Sequence, residues 1–291
     1  LQITDTQLVD SSQASINGLN DAYKPENFEN NCFKYIKEAV RRTNPDLIIM
    51  TGDNVWGSFD DNGSVLTKLI EVLDSFDIPW AGVYGNHDNE SEKGAKWQNE
   101  LYQHSENGLF LRGVTDGNGN YTIGIKQGGE VKRVFFMMDT NLCSAAHNPA
   151  ENYVTTSMGF TNDQVNWFKR TSGAMLNANE EVKISMGYHV PNYAFTLAAQ
   201  QYDQYLTDTY YYTLGLDVPA KDGDFGTNLS MSTNTAGNVI DYENNQIKTY
   251  GGETLVEIYQ NANVDSVFVG HQHENSLSLV YEGIRWTYGL K

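Results

Sequence analysis

Positive charge is scarce in this chain. Its 291 residues include 19 Lys and Arg against 37 Asp and Glu, a formal net charge of −18. Such a surface repels a nucleic-acid backbone or an anionic membrane rather than neutralising its charge, so no nucleic-acid partner is expected. Cysteine is scarcer still. The 2 present, Cys32 and Cys143, are too few for a disulfide framework or a Cys-based metal site. Long apolar runs are also lacking: none approaches the roughly 18 residues that a membrane span requires, which argues against membrane insertion. Hydrophobic residues still make up 40% of the chain, enough for a sizeable core, and a soluble globular protein is expected. The sequence opens on "LQITD" without Met or a signal peptide and stops in "GIRWTYGLK", as processed ends would. Low Lys and Arg with abundant Asn and Tyr favour a secreted over a cytoplasmic location. Nothing in the sequence indicates an oligomeric state.

By length alone the chain suits one large domain or two average ones. Runs such as "LIIM" (47–50), "WAGVY" (80–84), "VFFMM" (134–138), "VKISMGY" (182–188) and "VDSVFVG" (264–270) are mostly continuous and apolar. Strands buried on both faces read this way. Helical periods lie between them: Phe33, Ile36 and Val40 recur at i, i+3 and i+7, and Leu66, Leu69, Leu73 and Phe76 repeat the spacing. Thr161 with Gln164 resembles a capping box that opens a helix through Val165 and Phe168. The alternation predicts a layered α/β domain, with helices packed on sheets. From about 192 to 246 the sequence turns rich in Tyr, Asn, Thr and Gly and loses periodicity. This stretch reads as a long excursion, either a wall over a substrate or a surface insertion.

Polar residues capable of chemistry gather where the apolar runs end. Asp5 closes "QITD", Asp53 closes "LIIMTGD", and Asn86, His87 and Asp88 follow "AGVYG". His189 closes "ISMGY", and His271 and His273 follow "VFVG". Strand ends are where α/β folds collect ligands and catalytic groups. Singly, each residue has an ordinary explanation: a turn for "TGDN" or "GNHD", a satisfied core histidine for His189. Together they account for four of the 6 histidines, with two aspartates and an asparagine that complete a mixed nitrogen and oxygen coordination sphere. His104 and His147 lack this setting and read as surface or loop residues.

Asp5, "GDN" (52–54), "GNHD" (85–88), "YH" (188–189) and "GHQH" (270–273) occur in an order and spacing that resembles the calcineurin-like metallophosphoesterase superfamily. "YHVPNY" and the closing "GIRWTYGLK" are similar to its purple-acid-phosphatase-like branch. The resemblance spans nearly the whole chain and implies a β-sandwich flanked by helices, with two metal ions at one edge. Ligands from residue 5 to residue 273 then belong to one site, and the chain to a single domain.

Position by position, the resemblance implies that Asp53 bridges both metals. Asp5 and His273 bind the first; Asn86, His189 and His271 bind the second. His87, held by Asp88, stands beside the substrate. Gln7 occupies a position where relatives with the common first motif carry His. Its amide oxygen can coordinate, but more weakly, which biases the first site toward harder ions such as Mn or Mg among the candidates Fe, Mn, Zn and Mg. Purple acid phosphatases place a Tyr ligand three residues after the bridging Asp; here that position is Trp56, which cannot ligate. The implied activity is hydrolysis of small phosphate esters by a metal-bound hydroxide, with His87 protonating the leaving group. A phosphodiesterase for nucleotides or lipid headgroups, and a non-catalytic relative with a weakened first metal site, are the alternatives.

Overall fold

The computed structural model describes residues 1–13, 23–24, 26–141, 159–192, 194–200, 227–228, 242–243, 246–247, 253–273 and 275–289. Cys143 and His147 lie outside them, as does most of the excursion expected over 192–246.

In chain order the elements are β1 (Gln2–Ile3), α1 (Glu29–Thr43), β2 (Ile48–Met50), α2 (Ser64–Asp74), β3 (Trp80–Gly82) and α3 (Gly94–Gln103). There follow β4 (Tyr121–Gln127), β5 (Glu130–Met137), α4 (Asn162–Ala178), β6 (Lys183–Gly187) and α5 (Ala194–Gln200). The short strands β7 (Thr227–Asn228), β8 (Tyr242–Glu243) and β9 (Gln246–Ile247) precede α6 (Leu255–Asn261), β10 (Val264–Val269), β11 (Ser276–Tyr281) and β12 (Ile284–Tyr288). Strands β1, β2 and β3 form a parallel three-stranded sheet. A seven-stranded sheet runs β4-β5-β6-β10-β12-β11-β7, parallel through β5, β6, β10 and β12, with antiparallel pairs at both ends.

Side-chain alternation explains how these sheets sit. Along β5, Val134 and Phe136 face a core shared with Val165 and Phe168 of α4 and Leu255, Ile258 and Tyr259 of α6. Phe135 and Met137, one residue out of phase, belong to the other core, with Met50, Tyr84 and Tyr121. The seven-stranded sheet is therefore buried on both faces, as its continuous apolar runs predict. The outer face of the small sheet is covered through Ile36 and Val40 of α1 and Leu66, Leu69 and Leu73 of α2. The result is a mixed α/β sandwich of two sheets with helices outside.

The helix ends follow their local chemistry. Thr161 accepts from the Gln164 amide and the Gln164 side chain returns to the Thr161 backbone, so the expected capping box forms. A second box, Thr254 with Glu257, opens α6. The Asp60 carboxylate accepts from the Val65 and Leu66 amides at 3.0 Å each, satisfying the first turn of α2. Within the stretch expected as an excursion, one segment is helical. Residues 194–200 form α5, and Phe195 is fully buried against Trp286 and Tyr288. Apolar residues of a seven-residue helix are too few to stand out by periodicity within a Tyr- and Asn-rich stretch.

One buried hydrogen bond ties the two sheets: the Tyr121 hydroxyl donates to the Gly82 carbonyl at 2.8 Å. Tyr121→Phe leaves that carbonyl unpaired in the core. We expect a loss of about 1–3 kcal/mol of unfolding free energy, read as a lower urea midpoint at unchanged slope.

Candidate metal centre

The carboxyl ends of β1, β2, β3, β6 and β10 meet where the two sheets abut, and each carries one or more of the residues singled out in the sequence. The Asp5 amide donates to the Gly52 carbonyl (3.0 Å), the Gln7 amide to Asp53 (2.9 Å) and the Gly270 amide to His189 (3.0 Å). These loops turn sharply: Asp5, Gln7, Asp53 and His271 have φ of 51°, 41°, 51° and 77°. Left-handed backbone at residues other than glycine costs on the order of 1 kcal/mol or more each and persists only where surrounding bonds over-determine it. Gly85 is required by proximity, because a Cβ there would run into the Asp53 carboxylate.

Asp53 is buried, and its two oxygens face different neighbours. Oδ1 accepts from the His87 amide at 2.9 Å and lies 3.4 Å from His189 Nε2. Oδ2 accepts from Gln7 Nε2 at 3.0 Å. On one side, ligand atoms of Asp5, Asp53 and His273 all lie within 4.8 Å of one another, with His273 Nε2 3.4 Å from Asp5 Oδ1. On the other, Asn86 Oδ1 is 3.1 Å from His189 Nε2 and 2.8 Å from His271 Nδ1, and the two ring nitrogens are 3.3 Å apart. Asp5 is itself anchored by the Thr4 hydroxyl (2.6 Å) and the His271 amide (2.9 Å). Asp53 thus stands between two groups of converging donors.

The second group can be tested for its fit to a metal ion. His189 Nδ1 is bonded to the Thr51 carbonyl at 2.9 Å, so it carries the proton, and a neutral ring turns its lone pair inward at Nε2. There it meets an amide oxygen, a carboxylate oxygen and another imidazole nitrogen. Atoms of that kind repel unless a cation, proton or metal, sits among them. The electrostatic environment of the group agrees. Burial opposes charging of His189, but Asp53 overrides it and lifts the imidazole to about 9. Burial, reinforced by the charge on His189, drops His271 to about 4. Burial also opposes ionisation of Asp53, yet His189 holds its carboxyl below the usual range. The donors fit a metal ion of the borderline or hard class.

Other residues differ from expectation. His87 is at the rim, with its side chain 26% exposed. Its Nδ1 meets Glu90 Oε1 at 2.8 Å and not Asp88. The Asp88 carboxylate is turned inward instead, accepting from the amides of Asn54 (2.9 Å), Val55 (3.1 Å) and Gly85 (2.6 Å), so it binds two site loops together. Burial and the neighbouring Asp53 charge raise Asp88 to about 7. Gln7 reaches the centre, but it offers the bridging position an N–H donor where an oxygen ligand was expected. Trp56 packs on the His87 ring, centroids 5.6 Å apart. His104 caps the end of α3 at the surface. Glu90 was missed from the sequence, although its i+3 spacing from His87 was a usable signal: residues 88–90 form one turn of 3-10 helix, which eclipses such pairs.

A sandwich of this topology, with its donors at the sheet ends, defines the class of metallo-dependent phosphatases. The chain belongs to the calcineurin-like phosphoesterase family, whose profile matches residues 1–275. It is 22% identical over 314 aligned residues to an Arabidopsis thaliana protein named probable inactive purple acid phosphatase 29, covering 99% of this chain and 70% of that one. It is 25% identical over 167 residues to phosphatase DCR2 of Saccharomyces cerevisiae, covering 54% of this chain and 28% of that one. Its fold is similar to that of a dimetal phosphatase from Danio rerio, with a TM-score of 0.51 at 13% identity over 99% of this chain and 85% of that one. Among the described residues, no helix is long and apolar enough to cross a membrane.

His189 stays protonated below about 9, so a metal entering the Asn86, His189 and His271 group has to displace that proton, and affinity rises as pH climbs toward 9. Calorimetric titration with Zn at pH 7, in buffers of different ionisation enthalpy, is expected to show release of about one proton per chain. A binding enthalpy independent of buffer would count against this protonation state.

Proposed function

We propose that this protein is a metal-dependent phosphoesterase that hydrolyses small phosphate esters at a dinuclear centre. The observation that carries the reading is the position of Asp53, whose carboxylate faces Gln7 on the side of Asp5 and His273, and His189 on the side of Asn86 and His271. Asp5, Asp53 and His273 would hold one ion; Asp53, Asn86, His189 and His271 would hold the other. Such ions supply Lewis acidity toward a phosphoryl oxygen and acidify a water for attack on phosphorus. Gln7 contributes an N–H bond that steadies the shared carboxylate. These residues span 5 to 273, which supports a single domain built around one site.

The chain's own chemical contribution falls to His87. Its backbone amide donates to Asp53 and its Nδ1 is held by Glu90, which leaves Nε2 for the oxygen of a departing alcohol. Burial opposes its protonation, but the bond to Glu90 raises its pKa, so the ring holds a proton further toward neutral pH. A protonated ring at the rim suits general-acid work. A second reading, a relative that binds but does not turn over its ligand, is favoured by the name of the Arabidopsis thaliana relative and by the N–H donor that Gln7 presents. The intact His87 couple weighs against it, because metal binding alone does not need one.

The test is hydrolysis of p-nitrophenyl phosphate and bis-p-nitrophenyl phosphate after chelation and reloading with Mn, Fe, Zn or Mg. We expect turnover with at least one ion, and Asp53→Asn to lower both metal content and rate, the rate by ~10²-fold or more. Metal-loaded protein that cleaves neither ester would establish the non-catalytic reading.

A further inference from the structure

The carboxylate nearest the proposed acid belongs to Glu90, a residue that family resemblance did not single out. Glu90 is 3% exposed. Its two oxygens are both engaged: Oε1 lies 2.8 Å from His87 Nδ1, and Oε2 accepts from the Ser58 hydroxyl at 2.9 Å. The backbone fixes the pair further. The Glu90 amide donates to the His87 carbonyl at 3.2 Å, closing the turn that brings the two side chains to one face. The same carbonyl accepts from the Gly57 amide at 2.9 Å. A Cβ on Gly57 would come within 2.6 Å of that carbonyl and 2.5 Å of the Ser91 amide, so the loop carrying Ser58 and Trp56 closes on this turn because residue 57 has no side chain. Trp56 then covers one side of the His87 ring, and Phe59 backs Trp56 edge-on at a centroid distance of 4.8 Å.

We infer that Glu90 is the positioning residue for His87, fixing its ring orientation and its Nδ1–H tautomer so that Nε2 faces the leaving oxygen of the substrate. The inference rests on the phosphoesterase reading. A buried carboxylate on Nδ1 does three things at once. It holds the Nδ1–H, it stops rotation about the side-chain torsions, and it keeps Nε2–H aimed at the oxygen of the breaking P–O bond, so that giving up this proton leaves a neutral ring with its remaining proton on Nδ1. The electron pair of that bond goes to the departing oxygen, which takes the proton. Ser58 holds the second carboxylate oxygen, and Trp56 limits the water that would otherwise compete for the ring.

Glu90 acts only through His87, so its loss has to follow the leaving group. An aryl phosphate departs as a stable phenolate with little need of a proton; an alkyl phosphate departs as a strongly basic alkoxide. In the metal-loaded protein, Glu90→Ala is expected to lower kcat on an alkyl phosphate by about 10- to 100-fold, with KM and metal content near those of the parent. On p-nitrophenyl phosphate the loss should be several-fold smaller. Glu90→Gln, whose amide oxygen can still accept from Nδ1–H, should recover most of the loss. Nitrogen-15 spectra of the histidine rings, taken at a pH where His87 is neutral, supply a readout independent of turnover: the His87 Nδ1–H tautomer should predominate in the parent and in Glu90→Gln and be mixed in Glu90→Ala. If the parent is active but Glu90→Ala hurts both esters equally, or leaves the His87 tautomer unaltered, Glu90 does not position His87 and the phosphoesterase reading stands. A parent that cleaves neither ester with any ion overturns both.

Discussion

A carboxylate withdrawn from water has to be met by hydrogen-bond donors or positive charge, and Asp53 meets that requirement by drawing the whole site around itself. The His87 amide and the Gln7 side chain donate to it, and His189 lies 3.4 Å away. Each of these partners comes from a different strand end, so satisfying one buried group pins the loops after β1, β3 and β6 to the end of β2. The left-handed backbone at Asp53 itself, φ 51°, aims the side chain into this junction and would relax without those bonds. Gly85 leaves the space that the carboxylate fills.

The same constraint explains why two acidic groups so near the centre behave differently. Asp53 faces an imidazole and stays ionised; Asp88, also buried, accepts from backbone amides and feels the Asp53 charge, which adds to burial in raising it to about 7. Asp88 is consequently a structural clamp. Its three backbone partners hold the loop that carries Asp53 against the loop that carries Asn86 and His87. The division of labour leaves Glu90 as the carboxylate that meets the ring at the rim.

Packing behind the centre serves the same end. The parallel strands β6 and β10 deliver His189 and His271 side by side, and their outer face is sealed by α4 and α6 through Phe168, Ile258 and Tyr259. The inner face meets the small sheet through Phe135, Phe268 and Met137. Close-packed interiors resist displacement, so the donors keep their spacing even though each sits on a loop.

Much of this was legible in the sequence. Continuous apolar runs marked β2, β3, β5, β6 and β10, the i, i+3, i+7 spacings marked α1 and α2, and Thr161 with Gln164 marked the start of α4, because these signals depend only on local geometry and on which faces are buried. The polar residues at strand ends marked Asp5, Asp53, Asn86, His87, His189, His271 and His273 as candidates, which the fold then brings together, since a strand end is a place the sequence can show. Partner choice was not legible there. Asp88 adjoins His87 in the chain, yet side chains one residue apart diverge, and the turn at 88–90 gave the ring to Glu90 while Asp88 turned inward. Gln7 had a position but no orientation until Asp53 was brought beside it. Strand order, the meeting of two sheets and the partner of each buried carboxylate depend on residues far apart in sequence, and only the tertiary structure decided them.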